Sequence, residues 1–335
     1  MTVPPSTHMA REIAEMPEAA ARLAEGPARA ISQGAADALR ALDPPVLLTV
    51  ARGSSDHAAT YLSYAAQMLL RFPVASVGPS VSSIYDTALK ARGLGVLAIS
   101  QSGKSADILS LCAALRSEGG HVVALTNTAQ SPMANLADEV IDIAAGPERA
   151  VAATKSYFNS IVAGLWLLAD WAQDSQLVQA LDRLPDAMRG VAADPALGAL
   201  SDTVMSAGRA VVLGRGPGLG IAHEFALKLI ETSSIHASSY SSAEVLHGPS
   251  AMLTGGYPVI ALTTGAGSAM GETLERLGGQ GARVLTLSPK EGTGHPLVDP
   301  LLDLQGIYAA LEVMARAHGF DPDNPKHLQK ETKTV

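Results

Sequence analysis

The stretch VLAISQSGKSADIL, from Val96 to Leu109, gathers Ser100, Gln101, Ser102, Lys104 and Ser105 around Gly103, between an apolar run and the start of a helical pattern. A strand that ends in a polar turn and restarts as a helix offers backbone N–H groups, a positive dipole end and side-chain donors to one small volume. Such a volume suits an anion, phosphate above all. The plain alternative is an ordinary helix start, with Gly103 making the turn and Ser105 as the cap. A second group lies in HEFALKLIETSSIHASSYSSAEVLHGPSAML, where Glu224, Lys228 and Glu231 stand at i, i+4 and i+7. On a helix they share a stripe roughly 60° wide, while Phe225, Ala226, Leu227, Leu229 and Ile230 cover most of the remainder. That stripe is either a solvent face with a Glu-to-Lys pair worth a few tenths of a kcal/mol or a row of acid and base groups near a ligand. His247, in a turn marked by Gly248 and Pro249, and Lys330, near the end of the chain, are by default surface residues.

Positioning such groups requires a frame, and the chain repeats itself. VLLTVARGSSDHAATYL and RAVVLGRGPGLGIAHEFAL are each an apolar strand, an Arg-Gly turn and a helical pattern, with Arg52 and Arg215 separated by 163 positions. VLAISQSG at Val96 and VIALTTGA at Val259 differ by the same 163, and VVALTN at Val122 finds VLTLSP at Val284 at 162. Short runs of Val, Leu and Ile flanked by helical stretches, such as Ala106 to Leu115 and Gly271 to Leu277, imply parallel strands covered on both faces. The expected fold is α/β: two tandem doubly wound parallel-sheet domains, residues 44–185 and 194–318. A helical segment, 1–43, precedes them, the helical QLVQALDRLPDAMRGVAAD joins them, and a polar tail, 319–335, follows. Ligands in such sheets bind at the carboxyl ends of the strands, where the polar loops fall.

Composition narrows the functional classes. The 335 residues suggest about two domains. A formal charge of −8 with only 4% aromatic residues supplies neither the basic field nor the stacking platforms of a nucleic-acid binder. Cys112, the single cysteine, stands in the apolar ILSLCAAL and precludes an internal disulfide or a cysteine zinc cluster. The nine histidines show no H-x-x-x-H or clustered spacing, so neither metal nor other cofactor is expected. MTVPPSTHMARE lacks a signal-peptide pattern, and Asp170 interrupts SIVAGLWLLADW before it reaches the ~20 residues of a membrane span. A cytoplasmic protein with no membrane partner is expected. Two nucleotide motifs fail: GKS at Gly103 to Ser105 lacks the upstream glycine of a Walker A loop, where Ala98 stands instead. In GRGPGLG the third fingerprint glycine falls at Leu219.

ISQSGKSADIL, AGPERAVAATKSYF, EFALKLIETSSIHASSYSSAEVLHGPSAML and the tail DPDNPKHLQK, in that order, closely resemble the isomerase half of glucosamine-6-phosphate synthase, a pair of sugar isomerase (SIS) domains. MAREIAEMP resembles the helix that leads into it. The resemblance implies that Ser55, Ser100, Gln101, Ser102 and Ser105 hold a substrate phosphate, with the Ser54 backbone and Val151 close by. Charge-assisted hydrogen bonds of roughly 1.5–3 kcal/mol each would anchor the anion without a lysine clamp. It implies Glu231 as the base that moves a proton between C1 and C2, Lys228 and Glu224 as its neighbours, and His247 as the group that opens the sugar ring. Lys330 matches the lysine that meets the open-chain carbonyl and can form a Schiff base. In the family the histidine arrives from the neighbouring subunit, so a homodimer is expected.

The synthase draws ammonia from a glutaminase domain with an N-terminal cysteine nucleophile, whereas this chain begins Met1-Thr2-Val3 and its only cysteine is Cys112. Glutamine hydrolysis is therefore not expected, and the proton shuttle would run the other way. The expected reaction is isomerising deamination of an aminosugar phosphate, glucosamine 6-phosphate and water giving fructose 6-phosphate and ammonia. Departures from the family pattern bear on the substrate: Lys104 stands for a Glu, Gln329 for a small residue, Ala153 for a Ser and Arg52 for a Cys. A galactosamine-6-phosphate deaminase, a ketose/aldose isomerase and a deglycase of sugar-amine adducts are alternatives. A non-catalytic sugar-phosphate sensor is the alternative of another class; it would need the phosphate loop but not Glu231, His247 and Lys330 together.

Overall fold

The computed structural model describes residues 7–191, 194–265, 267–287 and 292–330. The chain divides into two compact units. One comprises residues 16–147 and 155–185 and holds a five-stranded sheet; the other comprises residues up to Glu15, 148–154 and 186–330 and holds a four-stranded sheet.

In the five-stranded unit the strands are β1 (Leu47–Val50), β2 (Val74–Ser76), β3 (Gly95–Ile99), β4 (His121–Thr126) and β5 (Glu139–Asp142). They are all parallel, in the order β2-β1-β3-β4-β5. Every residue of β1 and β3 is buried, as expected of runs such as VLAI that must satisfy helices on both faces. Cys112 packs among Val96, Ala98, Ile108 and Leu115, where burial pushes its thiol up to about 12, so it is a core residue. The helix Lys155–Ala172 is buried on nearly every side. Gly164 within it faces Leu62 so closely that a Cβ would lie 2.3 Å from a leucine methyl. Asp170, its one acidic residue, meets Arg29, whose Nη2 donates to Oδ1 at 2.7 Å. Among the described residues no helix is long and apolar enough to cross a membrane.

In the other unit β6 (Arg209–Gly214), β7 (His236–Ser241), β8 (Pro258–Leu262) and β9 (Arg283–Leu287) form a parallel sheet in the order β7-β6-β8-β9. The repeat read from the sequence survives at the level of register. Leu48 pairs with Ala75 and Val96, and Val211 pairs with Ser238 and Val259, each position shifted by 163. Val96 pairs with Val122 as Val259 pairs with Val284. The first sheet has a fifth strand, β5, whose counterpart is absent among the described residues of the second; there the chain enters the helix Leu302–Ala317.

The N-terminal helical segment is broken. His8–Ala14, Met16–Glu25 and Ala28–Leu42 are separate helices, the first belonging to the four-stranded unit and the other two to the five-stranded one. Pro17, which cannot donate a helical hydrogen bond and crowds the preceding turn, explains the interruption at Glu15.

Candidate active site

Strand order locates the first set of groups. In the order β2-β1-β3 the connections leave β1 in opposite directions, and the crevice at such a switch point opens at the carboxyl ends of β1 and β3. Those ends run into Arg52–Ser55 and Ser100–Ser105, so all six residues expected to hold phosphate stand at the two crevice-forming strand ends, four on the turn after β3 and Ser54 and Ser55 at the helix start after β1. The second loop is tightly determined. Gly103 has φ +62°, and a Cβ there would lie 2.2 Å from Ser131 Oγ, so only glycine fits. The carbonyl of Gln101 accepts from Asn127 N at 3.1 Å and from Thr126 Oγ1 at 3.3 Å, and that of Gly103 accepts from Met133 N at 3.0 Å.

Ser100 Oγ accepts from Gly103 N at 3.1 Å and Ser102 Oγ from Lys104 N at 3.3 Å. A hydroxyl that accepts through its oxygen keeps its proton to donate, so both serines remain donors. Ser105 occupies the N-cap of Ala106–Ser117 but makes no capping side-chain bond, contrary to the plain reading of this loop. Ser54 and Ser55 open the helix Ser54–Leu70 behind Gly53, at φ +54°. One group escaped the sequence reading: Arg52 Nε donates to Asp107 Oδ2 at 2.9 Å, tying the loop after β1 to the helix after β3. Asp107 is almost fully buried, and Arg52 supplies its counter-charge.

The second set lies on the helix Gly218–Ser233 of the other unit, and here the charged stripe is not a solvent face. Glu224 and Lys228 are completely buried, while Ile230, counted with the apolar face, is 47% exposed. Lys228 Nζ lies 3.3 Å from Glu224 Oε1 and donates a short bond to Glu231 Oε2. Tyr308 Oη donates to Glu224 at 3.4 Å. Burial pulls the Lys228 pKa down, but the two carboxylates outweigh it and hold the ammonium above the ordinary lysine value. Of the three, only Glu231 keeps part of its side chain exposed, at 20%. The stripe is therefore a graded series, two fully buried charges leading to one accessible carboxylate.

Lys330 belongs to the same unit and is tied down rather than loose. Its Nζ donates to Glu148 Oε2 at 2.7 Å and to the carbonyl of Ala150 at 2.8 Å. Val151, expected beside the substrate, is thus one residue from a lysine contact, and its N–H donates to the Asp323 carbonyl at 2.9 Å. Glu12, buried on the helix His8–Ala14, accepts from Arg149 N and, at 3.3 Å, from Ala150 N. Burial raises the Glu12 pKa first of all, with the Glu148 charge adding to it against the lowering by the Arg149 amide and Lys330. Glu12, Glu148 and Asp323 were not found from the sequence, although Glu148 lies inside the AGPERAVAATKSYF motif. His247 stands on an exposed turn between Glu244–Leu246 and Pro249–Met252 and, among the described residues, makes no side-chain bond to the Glu224–Lys228–Glu231 group. No group of three or more metal-ligating side chains occurs among the described residues.

Residues 44–169 and 204–293 match the SIS domain family. The isomerizing glutamine–fructose-6-phosphate aminotransferase of Symbiobacterium thermophilum is 34% identical over 308 residues, covering 84% of this chain and 50% of its own length. The chain spans about half the length of the curated relatives it matches. Among solved structures, a provisionally named phosphosugar isomerase from Silicibacter pomeroyi DSS-3 superposes with a TM-score of 0.87 at 43% identity, over 95% of this chain and 100% of that one. A glucosamine-6-phosphate deaminase from Thermotoga maritima does so with a TM-score of 0.77 at 21% identity, over 98% of this chain and 100% of that one, a likeness of fold.

Proposed function

Because the chain belongs to the SIS domain family, we propose that it acts on a phosphorylated sugar, and specifically that it deaminates an aminosugar phosphate with isomerisation: glucosamine 6-phosphate and water become fructose 6-phosphate and ammonia. The observation that carries the reading is the graded series Glu224, Lys228, Glu231, in which one partly accessible carboxylate is backed by a buried ammonium. Aldose–ketose exchange needs a single carboxylate that can take a proton from one carbon and return it to the next. A fixed ammonium behind that carboxylate orients it.

In this reading the hydroxyls and amides at Ser54, Ser55, Ser100, Gln101, Ser102 and Ser105 hold the phosphate, and Val151 lies against the sugar. His247 passes a proton to the ring oxygen and the sugar opens to its aldehyde. Glu231 removes the C2 proton and returns it to C1, the C1 oxygen takes a proton from the substrate's own C2 ammonium, and an iminium remains at C2. Water adds there, ammonia leaves with the nitrogen, and the ketose remains. Lys330 supplies positive charge to the open-chain carbonyl oxygen, where charge develops as the enol forms. Two relatives' names bear on the choice, the isomerizing aminotransferase and the deaminase. A homodimer in which His247 crosses to the partner is part of the proposal, consistent with its exposed turn.

The test is a panel of 6-phosphorylated aminosugars and ketoses, scored for ammonia and ketose together in the native chain and in Glu231→Gln. Stoichiometric ammonia and ketose from glucosamine 6-phosphate, lost by about 10²-fold or more in the variant, is the expected result. Ketose–aldose exchange without ammonia would replace the deaminase by an isomerase. Equal rates in both proteins would remove Glu231 from its role.

A further inference from the structure

The segment Glu148–Thr154 is bonded from two directions within the four-stranded unit. On one side, Glu12 of the helix His8–Ala14 receives the N–H groups of Arg149 and Ala150. On the other, Asp323 receives Val151 N through its backbone carbonyl, while its carboxylate oxygens accept from His8 N at 2.7 Å and Met9 N at 2.8 Å. The bonds close a ring: helix His8–Ala14 to Asp323, Asp323 to Val151, Val151 along the chain to Ala150, and Ala150 through Glu12 back to the same helix. Lys330 hangs from this ring by the Ala150 carbonyl and by Glu148. Glu148 is fixed in turn, since its other oxygen accepts from Thr154 N at 3.1 Å and Thr154 Oγ1 at 3.4 Å.

We propose that Glu12 is a positioning residue for Lys330: the N-terminal helix, through its one buried carboxylate, fixes the segment whose Ala150 carbonyl and Glu148 carboxylate aim the lysine ammonium. An ammonium has three donors, and two are committed here, so the direction of the third is set by the ring rather than by the lysine's own flexible stem. Residues 8–14 and 321–330 lie outside the stretches that match the family. This inference gives them a part in the chemistry rather than in stability alone. Its functional half rests on the proposed role of Lys330; its geometric half does not.

The experiment measures Lys330 directly. The full chain, Glu12→Leu and Glu148→Gln are acetylated with limiting N-hydroxysulfosuccinimide acetate, and the rate at Lys330 is read by peptide mass spectrometry relative to Lys326. Lys326 is exposed on the same tail and serves as the internal reference. Leucine fills the space of Glu12 but cannot accept the two N–H groups, which must then seek water. The Lys330 to Lys326 ratio is expected to rise about tenfold in both variants, since each removes hydrogen bonds that restrain the amine. With aminosugar phosphate as substrate, kcat of Glu12→Leu is expected to fall about tenfold with KM changed less than about twofold, the pattern of a misaimed group. A ratio in Glu12→Leu equal to that of the native chain overturns the inference, whatever happens to turnover. Should that variant not fold, Asp323→Ala removes both acceptors of the His8 and Met9 N–H groups and cuts the ring at its other joint, and an unchanged ratio there overturns it equally. A native chain that turns over no aminosugar phosphate refutes the proposed function while the acetylation ratio still decides the geometry.

Discussion

Replacing Lys228 by Met is the most direct probe of the charged helix. Lys228 and Glu224 face each other at 3.3 Å with side chains 1% and 0% exposed. With an effective dielectric of about 20, a pair at that distance attracts by roughly 5 kcal/mol, of which desolvation of both ions consumes a large part. Removing the lysine alone forfeits the attraction and leaves Glu224 buried as an unmatched charge beside the Tyr308 hydroxyl. Such losses run to about 3–5 kcal/mol. A fall in Tm of roughly 4–7 °C follows for a protein of this size. The sign of the pH effect is fixed by the raised lysine pKa. A group whose pKa is higher folded than unfolded stabilises fully below its unfolded value and loses the contribution as pH rises through the folded one, here above 10.5. Neutral pH is therefore a window in which the lysine is fully charged. Thermal and urea unfolding at pH 7, followed by circular dichroism, measure the loss. The paired substitution Glu224→Gln with Lys228→Met should recover at least about 2 kcal/mol, because a neutral amide remains where a bare charge stood. Turnover should stay abolished in both proteins. A Lys228→Met protein within about 0.5 kcal/mol of the native one, or a double variant no more stable than the single, refutes the pairing.

Two further outcomes follow. Gly103→Ala should abolish binding of inorganic phosphate and of 6-phosphosugars, since its Cβ would lie 2.2 Å from Ser131 Oγ and 3.2 Å from Thr126 Oγ1 at φ +62°; titration calorimetry reads it, and native affinity would refute the role of the loop. Asp303, pushed by burial to about 7 from 3.8 with Thr264 donating to it, destabilises the fold progressively as pH rises from 4 to 7. The difference of 7 and 3.8 corresponds to an upper bound of ~4 kcal/mol, and its half-buried side chain discounts this to about 2–4. Asp303→Asn is thus expected to be more stable than the native chain at pH 8 and no more stable at pH 4, and an equal difference at both pH values would contradict it.

The sheets were legible because each strand is short and apolar, and because a near-constant offset aligns three strands at once. The faces of the helix Gly218–Ser233 were not. Periodicity groups Glu224, Lys228 and Glu231 correctly but cannot say whether the narrow charged stripe or the broad apolar face meets protein. Here the remote Tyr308 answers Glu224, and no local pattern announces it. The surroundings of Lys330 were still less accessible. Its partner Glu148 is 182 positions away, and Glu12 reaches Ala150 across 138. A lysine in a polar tail looks solvated until the fold brings those segments together.

In the proposed function the two copies of one unit divide the labour. Shifted by 163, Glu224, Lys228 and Glu231 fall on Tyr61, Ala65 and Met68, which carry no charge in the first copy. Ser54 and Ser55 fall on Pro217 and Gly218 and Ser102 on Gly265, so the second copy has lost three of the five serine hydroxyls, while Ser100 falls on Thr263 and Ser105 on Ser268. Gln101 falls on Thr264, whose hydroxyl donates at 2.7 Å to Asp303. A carboxylate thus lies under the second loop, and Thr263 Oγ1 is committed to the Leu287 carbonyl at 3.1 Å. An anion approaching that turn would meet negative charge and donors already spent, whereas at the first loop it meets serine protons still available. One phosphate per chain is therefore expected in calorimetric titrations with inorganic phosphate or a 6-phosphosugar at pH 8, where Asp303 is ionised. Two equivalent sites per chain would show that the second loop has kept the affinity its side chains argue against.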